Sequence, residues 1–221
     1  ITPETTNLRN REEIFRLLRG LDPKRHLIHS EGILDVLDHS SPTSGYGAKL
    51  AIDLTDIDLK RVPASLPAPR TARPVGGVEL FNTELTRETG LLILYAEWEW
   101  HETIDVERYL AENNIEGIKY VALFDRGAAG HMRASDLLWL AAANTDPKRD
   151  IRLFGDVVII DARSKRPGYG NNPKRFPNVV TSSTDTIHYV DERWAEYGIG
   201  ELVESPSRRY RKLWLSEGAE W

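Results

Sequence analysis

The chain of 221 residues contains no cysteine and a single methionine. The first absence excludes disulfides, thiolate catalysis and cysteine-ligated zinc or iron–sulfur sites. No apolar run approaches the ~18 residues that a membrane span needs. The polar stretch Ile1–Arg9 has no apolar segment of the signal-peptide kind. The expectation is therefore a cytoplasmic protein without a membrane span. An excess of basic charge is also missing: 29 Lys and Arg stand against 34 Asp and Glu, for a net charge of −5. Nucleic-acid binders present a basic face that displaces counterions from phosphates, so no nucleic-acid partner is expected. The local basic stretch Lys165–Arg175 reads as a solvated face.

What is present is enough for a real core. A chain of this length buries roughly 70% of its unfolded surface. Asn10–Gly20 reads as a short helix, capped by Asn10 with Glu13 as the capping-box partner. Ile14, Leu17, Leu18 and Leu21 share its apolar face. Gly20 and Asp22-Pro23 end it, because proline cannot continue a helix. His26–Ser30 and Leu50–Leu54 read as strands. Leu59–Pro74 carries Pro63, Pro67, Pro69 and Pro74 and no period, so it reads as an extended surface connector.

Leu91–Ala96 and Ile118–Phe124 are near-continuous apolar runs, the pattern of strands buried on both faces. Between them Asp105–Glu112 reads as a helix with Val106, Tyr109 and Leu110 inward. Strand, helix, strand at this spacing predicts a βαβ crossover and a parallel sheet. Ala134–Asn144 is a further helix, followed by strands at Ile151–Phe154 and Val157–Ile160. A last amphipathic helix follows Ser182-Ser183, with Ile187, Val190, Trp194 and Tyr197 on one face and Gly198 at its stop. The tail Ser205–Leu215 adds a short helix docked by Tyr210, Leu213 and Trp214.

Self-similarity runs through this pattern. Asp22-Pro23-Lys24-Arg25 recurs as Asp146-Pro147-Lys148-Arg149, each time after an amphipathic helix and before a strand. Ile14 and Phe15 align with Leu138 and Trp139. One residue out of that register, Gly32 aligns with Gly155, Asp38 with Asp161 and Ser41 with Ser164. In the same register Gly45-Tyr46-Gly47 aligns with Gly168-Tyr169-Gly170. The order of these signals reads as a duplication. The second copy follows the strand Ile118–Phe124, whereas Ile1–Arg9 does not look like a strand. Copy one is expected to lack its first strand, as in a piece cut from a longer protein, and to leave an exposed sheet edge or groove.

These residues resemble the C-terminal domain of UbiD-family decarboxylases. That domain has a strand ending in Asp, a helix with Leu-Trp, and then Asp-Pro-x-Arg-Asp. The matching residues are Asp125, Leu138-Trp139, Asp146, Pro147, Arg149 and Asp150. The family's next segments, Leu-Asp-x-Leu-Asp-His and Gly-x-Lys-x-x-Ile-Asp-x-Thr, are similar to Leu34–Pro42 and Gly47–Thr55 of copy one. Two departures stand out: His26 replaces the family's Asp in copy one, and copy two lacks the Leu-Asp-His segment and ends in Arg175–Thr181. The doubled region is similar to that of the long relatives associated with menaquinone biosynthesis.

The resemblance implies an α/β fold of two diverged repeats, with mixed or mostly parallel sheet flanked by helices. It implies a first, truncated repeat over residues 1–58, a connector over 59–89, a second repeat over 90–182 and a helical tail over 183–221. It further implies a parent carboxy-lyase acting on an aromatic or unsaturated acid. Prenylated flavin mononucleotide, a divalent metal and the catalytic Arg and Glu residues would lie in that parent's N-terminal domain. Every Glu-Gly here (Glu31-Gly32, Glu116-Gly117, Glu217-Gly218) is followed by Ile or Ala, never by the family's Pro. No residue of this chain is therefore assigned a catalytic, cofactor-binding or metal role. Its expected partners are the N-terminal flavin-binding domain of its own full-length chain and further copies of itself in a homo-oligomer. The alternatives from other classes are a stand-alone interaction module and a small-ligand-binding α/β domain.

Four clusters invite a sharper reading. His26, His29, Asp35, Asp38 and His39 have metal-ligand chemistry, but residues 26 and 29 of a strand point to opposite faces, so turn and strand-end roles are favoured. The two Gly-Tyr-Gly segments could cradle an anion; lacking the dinucleotide fingerprint, they are favoured as tight turns. Arg25 and Arg149 follow helix ends, where bracing of carbonyls is favoured over binding a ligand carboxylate. Trp98, Glu99, Trp100, His101 and Glu102 follow a buried strand, the usual place of ligand loops, with an acid–base pair or an aromatic interface as readings.

Overall fold

The computed structural model describes residues 1–67, 69, 71–82, 84–96, 105–129, 132–168 and 175–214. The chain divides into two compact units, residues 1–174 and 175–221. It is an α/β protein whose larger unit carries a mixed five-stranded sheet and a separate two-stranded one.

The first unit opens with helix α1 (Arg11–Arg19), capped by Asn10, whose side chain accepts from the Glu12 N–H. Glu12 and Glu13 in the first turn and Arg16 and Arg19 in the last complement the helix dipole. A one-turn helix α2 (Pro23–His26) leads into strands β1 (Leu27–Ile33) and β2 (Tyr46–Ile52), an antiparallel hairpin in which Leu27 faces Ile52 and Ile33 faces Tyr46. Both strands extend beyond the stretches their composition suggests. The Gly45-Tyr46-Gly47 segment is where a turn becomes β2, with Gly45 at φ +71°, a conformation that favours glycine.

The connector after β2 is held by its carbonyls. Arg16 donates to the Leu59 carbonyl at 2.7 Å, and the buried Arg19 donates to those of Pro63 and Glu88 and to the Glu12 carboxylate. Strand β3 (Val78–Asn82) and helix α3 (Glu84–Thr89) follow within the stretch expected to be connector. Then come β4 (Leu91–Ala96), α4 (Val106–Glu112), β5 (Tyr120–Asp125), α5 (Arg126–Ala129), α6 (Ala134–Asn144), the one-turn α7 (Pro147–Asp150), β6 (Ile151–Phe154) and β7 (Val157–Asp161). The sheet order is β3-β4-β5-β7-β6. β4, β5 and β7 run parallel, as the βαβ spacing predicts, while β3 and β6 are antiparallel edges.

Alternation along the central strands sends side chains to opposite faces. Leu92, Leu94, Val121, Leu123 and Ile159 join Val106, Tyr109 and Leu110 of α4 in one core. Tyr120 and Val158 face the other way, with Leu17, Leu21 and Leu54 from the first sixty residues, and Leu27, Ile52, Ile151 and Ile160 close around them. The Tyr120 hydroxyl donates to the Leu18 carbonyl at 3.0 Å. The β1–β2 hairpin and α1 thus cover one face of the larger sheet and α4 the other, a three-layer arrangement.

The second unit holds α8 (Thr184–Glu192), α9 (Trp194–Tyr197) and α10 (Ser207–Tyr210). Ser183 caps α8 by accepting from the Thr186 N–H, and Gly198 ends α9 in the left-handed conformation at φ +63°. The Trp214 indole donates to the Val179 carbonyl, and Arg208 pairs with Asp191. Among the described residues no helix is long and apolar enough to cross a membrane.

Candidate functional site

Asp125 ends β5 and Asp161 ends β7, side by side at the carboxyl edge of the parallel strands. Open α/β sheets use this edge for ligands. Around them lies a buried ionic cluster. Asp161 takes a forked bond from Arg163 (2.9 and 2.6 Å) and accepts from the Arg163 backbone N–H, so the chain folds back at once after the strand. The Ser164 N–H donates to one oxygen of Asp125 at 2.8 Å. Lys165, with its side chain 1% exposed, donates to the carbonyls of Asp161 and Arg163 and lies 3.6–3.7 Å from carboxylate oxygens of Asp161 and Asp150. Arg149 forks onto Asp150, whose side chain is fully buried.

Burial raises the Asp125 and Asp150 carboxyls above their ordinary range, with neighbouring cations opposing the shift. Burial pushes the Lys165 ammonium down, against the pull of Asp161 and Asp150. Each cation faces a carboxylate, so the cluster ties the loop after β7 to α7 and to the strand ends. The second oxygen of Asp125 is buried without a hydrogen-bond partner among the described residues. Lys165 is sealed from solvent, and its contacts hold the loop after β7 against α7.

The two Asp-Pro-Lys-Arg segments build the same device. Asp22 caps α2, accepting from the Lys24 N–H; Asp146 caps α7, accepting from the Lys148 and Arg149 N–H groups. Pro23 and Pro147 sit in the first turn, where a missing N–H costs nothing. In each, the residue four later accepts from the cap residue's own N–H: His26 Nδ1 at 2.9 Å, Asp150 at 2.8 Å. The lysines reach across reciprocally. Lys24 pairs with Asp156 in the β6–β7 turn, and Lys148 pairs with Glu31 of β1. Asp146 also accepts from the Ala48 N–H of β2 at 3.3 Å.

The arginines diverge. Arg25 is exposed and paired with Asp56, which also accepts from His26 Nε2 at 2.9 Å, whereas Arg149 is buried on Asp150. Neither pairing is the carbonyl bracing favoured from sequence; both are carboxylate pairs within the protein.

The histidine–aspartate set does not converge. His26 is buried between Asp22 and Asp56, while His29 is exposed on β1. Asp35 accepts from the Leu37 N–H, and Asp38 from the Ser40 N–H and hydroxyl, both as local turns. His39 lies 3.4 Å from the Asn144 side-chain oxygen. Among the described residues no three His, Asp or Glu side chains are grouped to hold a metal ion. Trp98–Glu102, Tyr169 and Gly170 lie outside the described residues.

The hairpins also correct one alignment. Leu27 pairs with Ile52 as Ile151 pairs with Ile160, which sets Asp53, not Asp38, opposite Asp161. Asp53 accepts from the Thr55 N–H and Asp161 from the Arg163 N–H, the same turn in both places. The sequence offset slips because residues 34–45 join β1 to β2 whereas a tight turn joins β6 to β7. Gly32 accordingly lies within a strand and Gly155 in a turn at φ +58°.

No protein-family model matches the chain. Two proteins of Helicobacter pylori, from strains J99 and 26695, are similar to it. Each bears only the description "Uncharacterized protein" and is 25% identical over 205 residues. The similarity covers 86% of this chain but 31% of each relative, so the chain spans under a third of their length.

Proposed function

We propose that the chain is a non-catalytic, C-terminal part of a UbiD-type carboxy-lyase, built from two diverged copies of one α/β unit. The parent would decarboxylate an aromatic or unsaturated acid, including a quinone precursor, and this part would serve its assembly and the closing of its active site. The observation that carries the reading is how the residues of the resemblance are used. Asp146 and Pro147 build a helix cap, Arg149 and Asp150 a buried ion pair, and Asp53 and Thr55 a turn. These side chains brace the protein rather than face a substrate. The twin Asp-Pro caps, each followed by an antiparallel hairpin of equivalent register, support the duplication. The greater length of the relatives supports a larger parent.

The strand-end cluster is a poor match for the parent's cofactors. A flavin phosphate calls for cations that are not already neutralised, and those of the strand-end cluster face carboxylates. A divalent metal calls for several converging oxygen ligands, and no such group occurs among the described residues. Prenylated flavin and metal are assigned to the parent's N-terminal domain, and the homo-oligomer to the assembled parent. The test compares the 221-residue chain with the full-length parent, scoring flavin absorbance and release of carbon dioxide from unsaturated and aromatic acids. Only the full-length protein is expected to show both. Turnover by the 221-residue chain alone, or a flavin-free and inactive parent, overturns the proposal.

A further inference from the structure

Among the described residues the β1–β2 hairpin is paired along one edge of β2 and not along the other. The Asp53 N–H bonds to the His26 carbonyl and the Leu34 N–H to the Gly45 carbonyl. By the alternation of an antiparallel ladder, the backbone groups of residues 46, 48, 50 and 52 then point away from β1. Part of that outer edge is occupied by other groups. Ser41 donates to the Tyr46 carbonyl, and the Ala48 N–H is held by Asp146. Among the described residues no strand pairs with this edge, since β1 and β2 form a sheet of two.

Ile1 shows what belongs there. Its amine donates to the Ile52 carbonyl at 2.7 Å, and its carbonyl accepts from the Leu54 N–H at 2.9 Å. That is one step of a parallel ladder in which Ile1 is paired with Asp53. In the five-stranded sheet Leu123 of β5 is paired with Asp161, and its carbonyl accepts from the Ala162 N–H at 2.9 Å. Ile1 therefore stands to β2 as Leu123 stands to β7. The ladder between β5 and β7 runs over Tyr120–Leu123 against Val158–Asp161. The equivalent stretch of β2 is Leu50–Asp53, which begins just past the point where Asp146 takes the Ala48 N–H.

The geometry points to a docking site on the outer edge of β2 for a parallel strand, continuous in register with Ile1. Its occupant is an extended apolar stretch of the longer polypeptide, leading into Ile1 as the residues of β5 lead into Leu123. The relatives are longer than the matched region, which is 31% of each, so a longer polypeptide is the natural source of such a stretch. The carbonyl two residues before Ile1 would accept from the Ile52 N–H, and that four residues before would accept from the Leu50 N–H. The β1–β2 pair would then become the three-stranded counterpart of β5, β7 and β6. This rests on the reading of the chain as two copies and not on the carboxy-lyase assignment, which the turnover assay tests separately.

Amide hydrogen exchange resolved by residue tests it. In the 221-residue chain the Leu50 and Ile52 amides should exchange faster than those of Lys49 and Ala51, which bond β1. Extending the chain ahead of Ile1 with Ile-Lys-Tyr-Val-Ala, the sequence of residues 118–122, should slow Leu50 and Ile52 by at least about tenfold, the mark of a ladder bond replacing solvent. The same extension with proline in place of its valine removes the donor to the Leu50 carbonyl and should lose that protection. Leu50 and Ile52 amides as slow as Lys49 in the unextended chain, or unchanged by the extension, overturn the inference. Protection that grows with concentration of the unextended chain makes a second copy the occupant and overturns it too.

Discussion

Arg25 and Arg149 end identical four-residue motifs, yet they live in different dielectric worlds. Arg149 lies 6% exposed against a fully buried Asp150, whereas Arg25 is 67% exposed. Removing one partner of a buried pair leaves an uncompensated charge and costs about 3–5 kcal/mol, while an exposed pair contributes about 0–1 kcal/mol. Arg149→Met is therefore expected to lower the urea midpoint severely and Arg25→Met hardly at all; equal effects would contradict the buried brace. Asp125 makes a prediction of opposite sign. Its carboxyl is raised by burial, so the folded state holds the proton at pH values where the unfolded chain has released it. The stability contributed by Asp125 is then full below the ordinary value near 3.8 and is lost as pH rises through the folded pKa. Asp125→Asn keeps an acceptor for the Ser164 N–H and removes the charge. Its stabilising effect, about 1 kcal/mol on the scale of a poorly satisfied buried group, should grow as pH rises from the ordinary value through the folded pKa and then level off, in paired urea titrations. The motif was legible in sequence, but the split between its arginines was not. The residue beside each decides it: His26 turns to the exposed Asp56, and Asp150 turns inward.

At the scale of elements, apolar runs and caps carried the reading. β4, β5, α4, α6 and the β6–β7 pair lie where periodicity puts them, because strands buried on both faces leave continuous apolar runs. β3 was hidden by its proline-rich neighbourhood. Val78-Glu79-Leu80-Phe81 is an edge strand, with Glu79 paired to Arg126 and only Val78 deeply buried, so its pattern is weak. The β1–β2 hairpin was underestimated because β1 is exposed along most of its length. The Asp-Pro caps give a test at this scale. Asp22→Ala should cost about 1–2 kcal/mol, as cap removal does. Asp146→Ala should cost more, because Asp146 also holds the Ala48 N–H of β2. Chemical denaturation of the two variants checks the order.

At the scale of the molecule, the connection between β1 and β2 carries the most exposed apolar side chains of the hairpin half. Ile33, Val36 and Leu37 are 81%, 79% and 83% exposed around the β1–β2 connection. Exposed apolar groups beside an open strand edge favour association. Ile33→Lys and Leu37→Lys together should raise the concentration at which light scattering detects association, with the urea midpoint shifted by less than about 0.5 kcal/mol, as for surface substitutions. A lower threshold, or a large loss of stability, would show that these side chains are structural.

The open rail of β2 has a consequence for how the chain acquires its shape. β2 and β7 offer the same kind of edge, and β5 comes between them in sequence. During synthesis β5 meets β2 before β7 exists. A newly made β5 laid on β2 would find a workable ladder in the wrong half and would have to leave it once β7 emerged. A chain whose β2 edge is already filled would be spared that detour, so the strand proposed to complete the first sheet would also keep β5 free for the second.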